Sequence, residues 1–297
     1  LSPAAAPDRT GLALAALGAV FFAGKAIIVK LAYRHGVDPV TLIMLRMAVA
    51  LPFFVLLALW AARGRAPLAG RDWLAVLGLG FIGYYLSSFL DFIGLQYITA
   101  SLERLILYLS PTMVLILGRV LHGRRVGRGK LAALGLSYVG VLLVFGHELS
   151  LDGADVLLGS GLVLASTFTY ALYLVYSGEV VSRIGAARLT GLATSFACVL
   201  CIAQFLVLRP VALVAELPAA VLWLSLVNGT VCTFAPVLML MVALQRIGSG
   251  LTSQIGMVGP VSTVMMGVVI LGEPFTAWTA AGSALVIAGV ALLSRTR

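Results

Sequence analysis

Six ionisable side chains stand inside or at the ends of long apolar runs: Lys25, Lys30, Arg46, Asp91, Glu103 and Arg104. A charge at the centre of a bilayer costs about 2.5–3.5 kcal/mol on insertion scales, so each needs a partner, a wet cavity or a task. Lys25 is the deepest cation by position, and Arg46, counted from the edge the two share, reaches a comparable depth. Two uses suit this pair. They can bind the carboxylate of a substrate, or they can pair with Asp91 or Glu103 and tie helix ends together. Asp91, Glu103 and Arg104 flank one short connector, where shallow placement, snorkelling and mutual pairing would satisfy them.

Around these charges lie aromatic and small polar residues: Phe22, Tyr84, Tyr85, Ser88, Tyr108, Tyr170, Tyr173, Tyr176, Trp223 and Asn228. Singly, membrane aromatics pack or form interface belts. As a set they suit a cavity of mostly aromatic surface with few polar groups, which would take amino acids with apolar side chains. Asn228 and Gln254 are the mid-span amides expected to face it. The substrate-binding candidates are therefore Phe22, Lys25, Arg46, Tyr84, Ser88, Tyr108, Tyr170, Tyr173, Asn228 and Gln254. Pro111 and Pro260 are candidate hinges, because proline removes a helical hydrogen bond and kinks the helix.

Other chemistry finds little support. All three histidines lie in or beside loops, neither HExxH nor GxSxG occurs, and no mid-span carboxylate pair offers acid–base work. An enzyme, a catalytic residue and a cofactor are accordingly not expected. Gly78 to Gly83 spells a dinucleotide fingerprint but lacks the preceding strand, so close helix approach explains the glycines better. Cys198 and Cys201 share a helical face with no further ligand to complete a zinc site, so no metal is expected. A channel would need a ring or filter of repeated polar groups.

The elements that must position these residues follow from composition. Of 297 residues, 61% are hydrophobic and 10% charged, with a mean hydropathy of +1.10. Soluble domains carry about 25% charged residues, so a water-soluble fold is excluded. Continuously apolar runs, rather than alternating ones, exclude a β-barrel. The expected fold is all-α integral membrane, with ten transmembrane helices near 11–32, 39–62, 72–94, 99–121, 130–147, 156–178, 188–208, 218–242, 248–271 and 275–294.

The net charge of +9 resolves by placement. Fourteen bases, Arg9, Arg63, Arg65, Arg71, Arg119, Arg124, Arg125, Arg128, Lys130, Arg183, Arg188, Arg246, Arg295 and Arg297, fall on the face holding both termini, against only Arg34 and Arg209 on the other. The positive-inside rule makes that basic face, and both termini, cytoplasmic. The surplus is a topological label, and no nucleic-acid partner is expected.

The chain also repeats itself. At a constant offset of 149, Leu95-Gln96 matches Leu244-Gln245, Pro111 matches Pro260, Gly118 matches Gly267, Gly123 matches Gly272, and Gly140-Val141 matches Gly289-Val290. This divides the single transmembrane domain, 1–297, into 1–149 and 150–297, five spans each. An odd number of spans inverts the second half, the architecture of many secondary transporters, with the substrate site at the repeat interface. Arg124 and Glu273 follow matched glycines on opposite faces, as an inverted charge rule asks.

The residues Leu244-Gln245-Arg246-Ile247, Pro260, Ile270-Leu271-Gly272-Glu273-Pro274 and Gly289-Val290-Ala291-Leu292 closely resemble the second-half signature of the EamA family, within the drug/metabolite transporter superfamily. The first half is similar through Phe21-Phe22-Ala23-Gly24, Asp38-Pro39, Leu45-Arg46 and Tyr97-Ile98-Thr99-Ala100-Ser101. The resemblance implies a ten-helix secondary transporter of the bacterial inner membrane, most often exporting amino acids or related metabolites by alternating access. An exchanger of phosphorylated or other anionic metabolites is the alternative, since in-span cations outnumber acids.

Overall fold

In lipid every backbone N–H and C=O must be paired internally, and apolar runs meet that demand as helices. The computed structural model describes residues 8–122 and 128–295, and among them there is no strand. Asp8 caps α1 (Arg9–Tyr33) by accepting from the backbone N–H of Thr10. Asp38 does the same for α2 (Pro39–Ala62), whose first residue, Pro39, has no N–H to leave unpaired. The third span joins α3 (Gly70–Gly80), a π-helical turn (Phe81–Leu86) and α4 (Ser87–Gly94). Then follow α5 (Ala100–Leu107), α6 (Ser110–His122), α7 (Arg128–Asp152), α8 (Ala154–Ile184) and α9 (Ala186–Leu208). The chain closes with α10 (Ala219–Gly229), a π-helical turn (Thr230–Phe234), α11 (Ala235–Gly256), α12 (Val258–Met266), a third π-helical turn (Gly267–Leu271) and α13 (Ala277–Arg295).

Nine segments among the described residues are long and apolar enough to cross a membrane, and the apolar part of α13, Ala277–Leu292, is shorter. It nevertheless lies antiparallel along α7: the site of a Cβ on Gly140 is 2.6 Å from the Gly282 carbonyl, and that on Gly289 is 2.8 Å from the Ala133 carbonyl. The connector expected near 243–247 falls at Gly248, where one membrane span ends. The helical path of α11 is interrupted at Gly248, whose φ of 76° and ψ of 169° are non-helical and lie in a region that favours glycine. The matched pair Gly123 and Arg124 lies outside the described residues.

The two halves repeat in structure as well as in sequence. Phe81 and Thr230, the starts of the π turns in spans three and eight, are 149 apart. So are Gly80 and Gly229, each seated on a neighbour's backbone: a Cβ would stand 2.6 Å from the Ala193 carbonyl oxygen on α9, or 2.8 Å from the Arg46 carbonyl oxygen on α2. Gly24 meets Cys232, and their counterparts Tyr173 and Gly83 meet in turn, with the glycine exchanged between partners. Spans one and eight therefore pack as spans six and three do. Small residues allow this approach where lipid supplies no hydrophobic drive.

Spans four and nine are broken at equivalent places. α5 ends before Tyr108 and Leu109, and α6 restarts at Ser110; α11 ends at Gly256, and α12 restarts after Met257. Pro111 and Pro260 sit in the first turn of the restarted helices, where a missing N–H costs least.

Candidate functional site

Four of the in-span charges form one enclosed cluster. Lys25 Nζ on α1 lies 2.5 Å from Asp91 Oδ2 on α4 and 3.4 Å from Glu103 Oε1 on α5. Arg104 Nε lies 3.9 Å from Glu103 Oε2, while its terminal nitrogen donates to the carbonyls of Phe22 and Ala23 at 3.3 Å each. The guanidinium also stands over the Phe22 ring, 5.6 Å from its centroid. Sequence position made Asp91, Glu103 and Arg104 shallow groups able to snorkel. They are near the helix ends as expected, yet completely covered, with Glu103 at 0% exposure. Packing of α5 against α8 and α12 closes the route to water, so pairing is what remains.

Arg46 has a different environment. Its Nε donates to Thr233 Oγ1 at 2.9 Å, and its guanidinium stands 5.1 Å from the centroid of Phe92, the residue after Asp91. Thr233 is held in turn by the π turn, donating to the Asn228 carbonyl at 2.7 Å. Among the described residues no acid lies within ion-pair distance of Arg46, and its Nη1 has no hydrogen-bond partner. Asp91 Oδ1 and both side-chain atoms of the fully buried Asn228 are likewise unpartnered. Such groups cost about 1–3 kcal/mol each when left so.

The aromatic candidates are divided among three places. Tyr84, Tyr170 and Tyr173 come together between α3, α8 and α9, with the Tyr84 and Tyr173 hydroxyls 3.1 Å apart and the Tyr170 and Tyr173 rings stacked at 5.6 Å. Tyr108 stands at the break in span four and donates to the Gly256 carbonyl at 2.9 Å, joining the two broken spans. Phe22 is half-exposed beneath Arg104. Ser88 is half-buried beside the bonded Ser87 and Ser166 hydroxyls. Gln254, Tyr176 and Trp223 are exposed, and Gln254 does not join Asn228 in the interior. Thr233 and Phe92, which position Arg46, escaped the sequence reading; the π turn that orients Thr233 has no simple residue signature.

A cavity of about 620 Å³ lies at the acidic end, lined by residues including Lys30, Arg34, Asp38, Thr99 and Glu273. Glu273, from the second half, accepts from the Ala100 N–H at 2.6 Å and from the Ser101 N–H and hydroxyl at 3.2 and 2.7 Å, capping α5 of the first half. Arg34 donates to the Leu271 carbonyl across the same seam. A second cavity, about 310 Å³, lies at the basic end among Trp60, Arg63, Arg65 and Gln245. The charged groups between the two are covered from both ends.

The four clustered charges all come from the first half and are covered partly by α8 and α12 of the second. The sequence matches the EamA-like transporter family twice, over residues 9–146 and 157–295, which reproduces the 149-residue repeat. The chain belongs to the EamA-like transporter family. It is 30% identical over 272 residues to the uncharacterized transporter YcbK of Bacillus subtilis, covering 86% of this chain and 84% of that protein. An uncharacterized transporter of Archaeoglobus fulgidus is 28% identical, over 94% of this chain and 95% of its own. A crystal structure superposes with a TM-score of 0.65 at 18% identity, over 95% of each chain, which speaks for the fold alone. This EamA-like protein is thus a multi-pass membrane transporter built from two repeated halves.

Proposed function

We propose that this transporter exports zwitterionic small metabolites, foremost amino acids with apolar side chains, across the bacterial inner membrane by alternating access between its halves. The observation that carries this reading is the unpartnered Arg46 Nη1 together with the unpartnered Oδ1 of Asp91, whose other oxygen is held by Lys25. Arg46 Nη1 would take the substrate carboxylate and Asp91 Oδ1 its ammonium. The Asn228 amide supplies further polar groups, and Phe92 an aromatic wall.

The alternative of a phosphorylated metabolite calls for several free deep cations. Lys25 lies between two acids, which leaves Arg46 to meet one negative charge. The paired breaks before Pro111 and Pro260 support bending of spans four and nine as the motion that alternates access. Export corresponds to movement from the basic face, cytoplasmic by its excess of Lys and Arg, to the acidic one.

The test is counterflow into proteoliposomes over a panel of amino acids and phosphorylated metabolites. Saturable exchange of apolar amino acids is expected, with Arg46→Leu raising KM at least about tenfold through loss of a charge-assisted contact of about 1.5–3 kcal/mol. Exchange of phosphorylated compounds alone would reject the reading. Unchanged rates in both Pro111→Ala and Pro260→Ala would reject the hinges.

A further inference from the structure

Proposing amino acids as substrate leaves Glu103 unexplained. The Arg46–Asp91 site does not use it, yet it is a carboxylate with 0% exposure and no hydrogen-bond donor on either oxygen. Its surroundings are these. Lys25 reaches it from α1 at 3.4 Å, and Lys25 is nearer to Asp91 of α4, at 2.5 Å. Arg104, on α5 itself, stands at 3.9 Å, and the Asp91 carboxyl is itself a direct neighbour within hydrogen-bonding reach of the Glu103 carboxyl. α12 carries no ionisable side chain, and α8 and α13 face this part of α5 with Val156, Val163 and Val286. α7 brings Glu148, to which the Thr99 hydroxyl donates at 2.6 Å, and Glu273 caps the helix from the second half.

The acidic-end cavity comes within one helical turn of this sealed carboxylate. Thr99 and Glu273 line the cavity at the acidic end, and Glu103 follows one helical turn below Thr99, its N–H bonded to the Thr99 carbonyl at 3.0 Å. The cavity floor and the buried carboxylate are thus separated by a single turn edged with Glu148 and Glu273.

We propose that Glu103 is a proton-binding site of the carrier, loaded from the acidic-face cavity and coupled to substrate through competition for Lys25. When Glu103 is ionised it shares the Lys25 ammonium with Asp91, whose Oδ1 is left to accept the ammonium of a substrate. A proton that forms an O–H bond on Glu103 cancels its charge and hands Lys25 wholly to Asp91, which then holds a substrate ammonium less well. Proton and substrate therefore exclude each other, and the carrier exchanges one for the other. Proton entry from the acidic face fits exit of substrate there, a use of intramembrane carboxylates that their expense favours. The inference rests on the substrate site proposed above.

Two measurements test it, the first without any substrate. Infrared difference spectra of the full-length protein in lipid, taken between acid and neutral pH, should contain a protonated-carboxyl band that Glu103→Gln abolishes and Glu103→Asp shifts. A spectrum unchanged in both variants overturns the proton site; if Glu103→Gln does not insert, Glu103→Asp decides alone. In the second, leucine counterflow is followed with a lumenal pH dye. Half-saturation for leucine should rise as pH falls, and in Glu103→Asp that rise should come with its midpoint moved by at least about half a pH unit, reflecting the changed distance to Lys25. A pH profile superimposable on that of the unaltered protein overturns the coupling. Absence of exchange for every amino acid in the panel would reject the substrate reading, while the infrared band still decides the proton site.

Discussion

Removing the Lys25 ammonium is the most discriminating change, because two buried acids depend on it. Lys25→Met leaves Asp91 and Glu103 with Arg104 alone, 3.9 Å from Glu103. Breaking a buried pair from one side costs about 3–5 kcal/mol. A separate limit comes from proton uptake. Neutralising a carboxylate at pH 7 costs about 1.4 kcal/mol for each pH unit above its ordinary value near 4, so the penalty stays below about 4 kcal/mol. Asp91→Asn alone should cost less, since Lys25 retains Glu103. The double variant Lys25→Met with Asp91→Asn restores charge balance between Glu103 and Arg104, and should recover about 2 kcal/mol relative to the sum of the single changes. The assay is reversible unfolding in mixed micelles titrated with denaturing detergent. The Lys25→Met deficit should also shrink by about 1.4 kcal/mol per unit as pH is lowered from 7. Additivity within about 0.5 kcal/mol, together with a deficit that ignores pH, would refute the cluster as an electrostatic unit.

Two further outcomes are expected. Gly80→Ala and Gly229→Ala place a methyl 2.6 and 2.8 Å from carbonyl oxygens of facing helices and should each cost about 1–3 kcal/mol in the same assay, whereas Gly78→Ala meets nothing within 4 Å and should be neutral or stabilising. At the acidic face, burial pushes the Asp38 carboxyl up, but hydrogen bonds from Thr41 and Arg209 outweigh it and hold it below the ordinary 3.8. Its contribution is therefore complete above 3.8 and lost as pH falls below it, so Asp38→Asn should flatten thermal stability against pH in that acid window alone.

Much of the architecture could be read from residue order. Apolar runs as long as a bilayer is thick must be helices in lipid, so the helical membrane fold and the span order follow from composition and length. The constant offset of 149 located the repeat, and the same number recurs in the π turns and seated glycines. Boundaries were legible to within a residue or two where glycine interrupts the helical path, as at Gly248 just after the expected connector.

The site divides along similar lines. Charge in apolar sequence named Lys25 and Arg46, and left open whether they bind substrate or pair with acids. That choice belongs to tertiary structure, because it depends on which helix faces reach one another. Lys25 is drawn between Asp91 and Glu103, 66 and 78 positions away, while the Arg46 guanidinium is held by Thr233 and Phe92. Depth along a helix is written in sequence, but cover is not: Glu103, near a helix end, is sealed by segments from both halves. The sequence alone determined that the protein lives in lipid, that it is doubled, and which charges are costly there. Only the packing of one half against the other decided which of those charges are neutralised and which still want a partner.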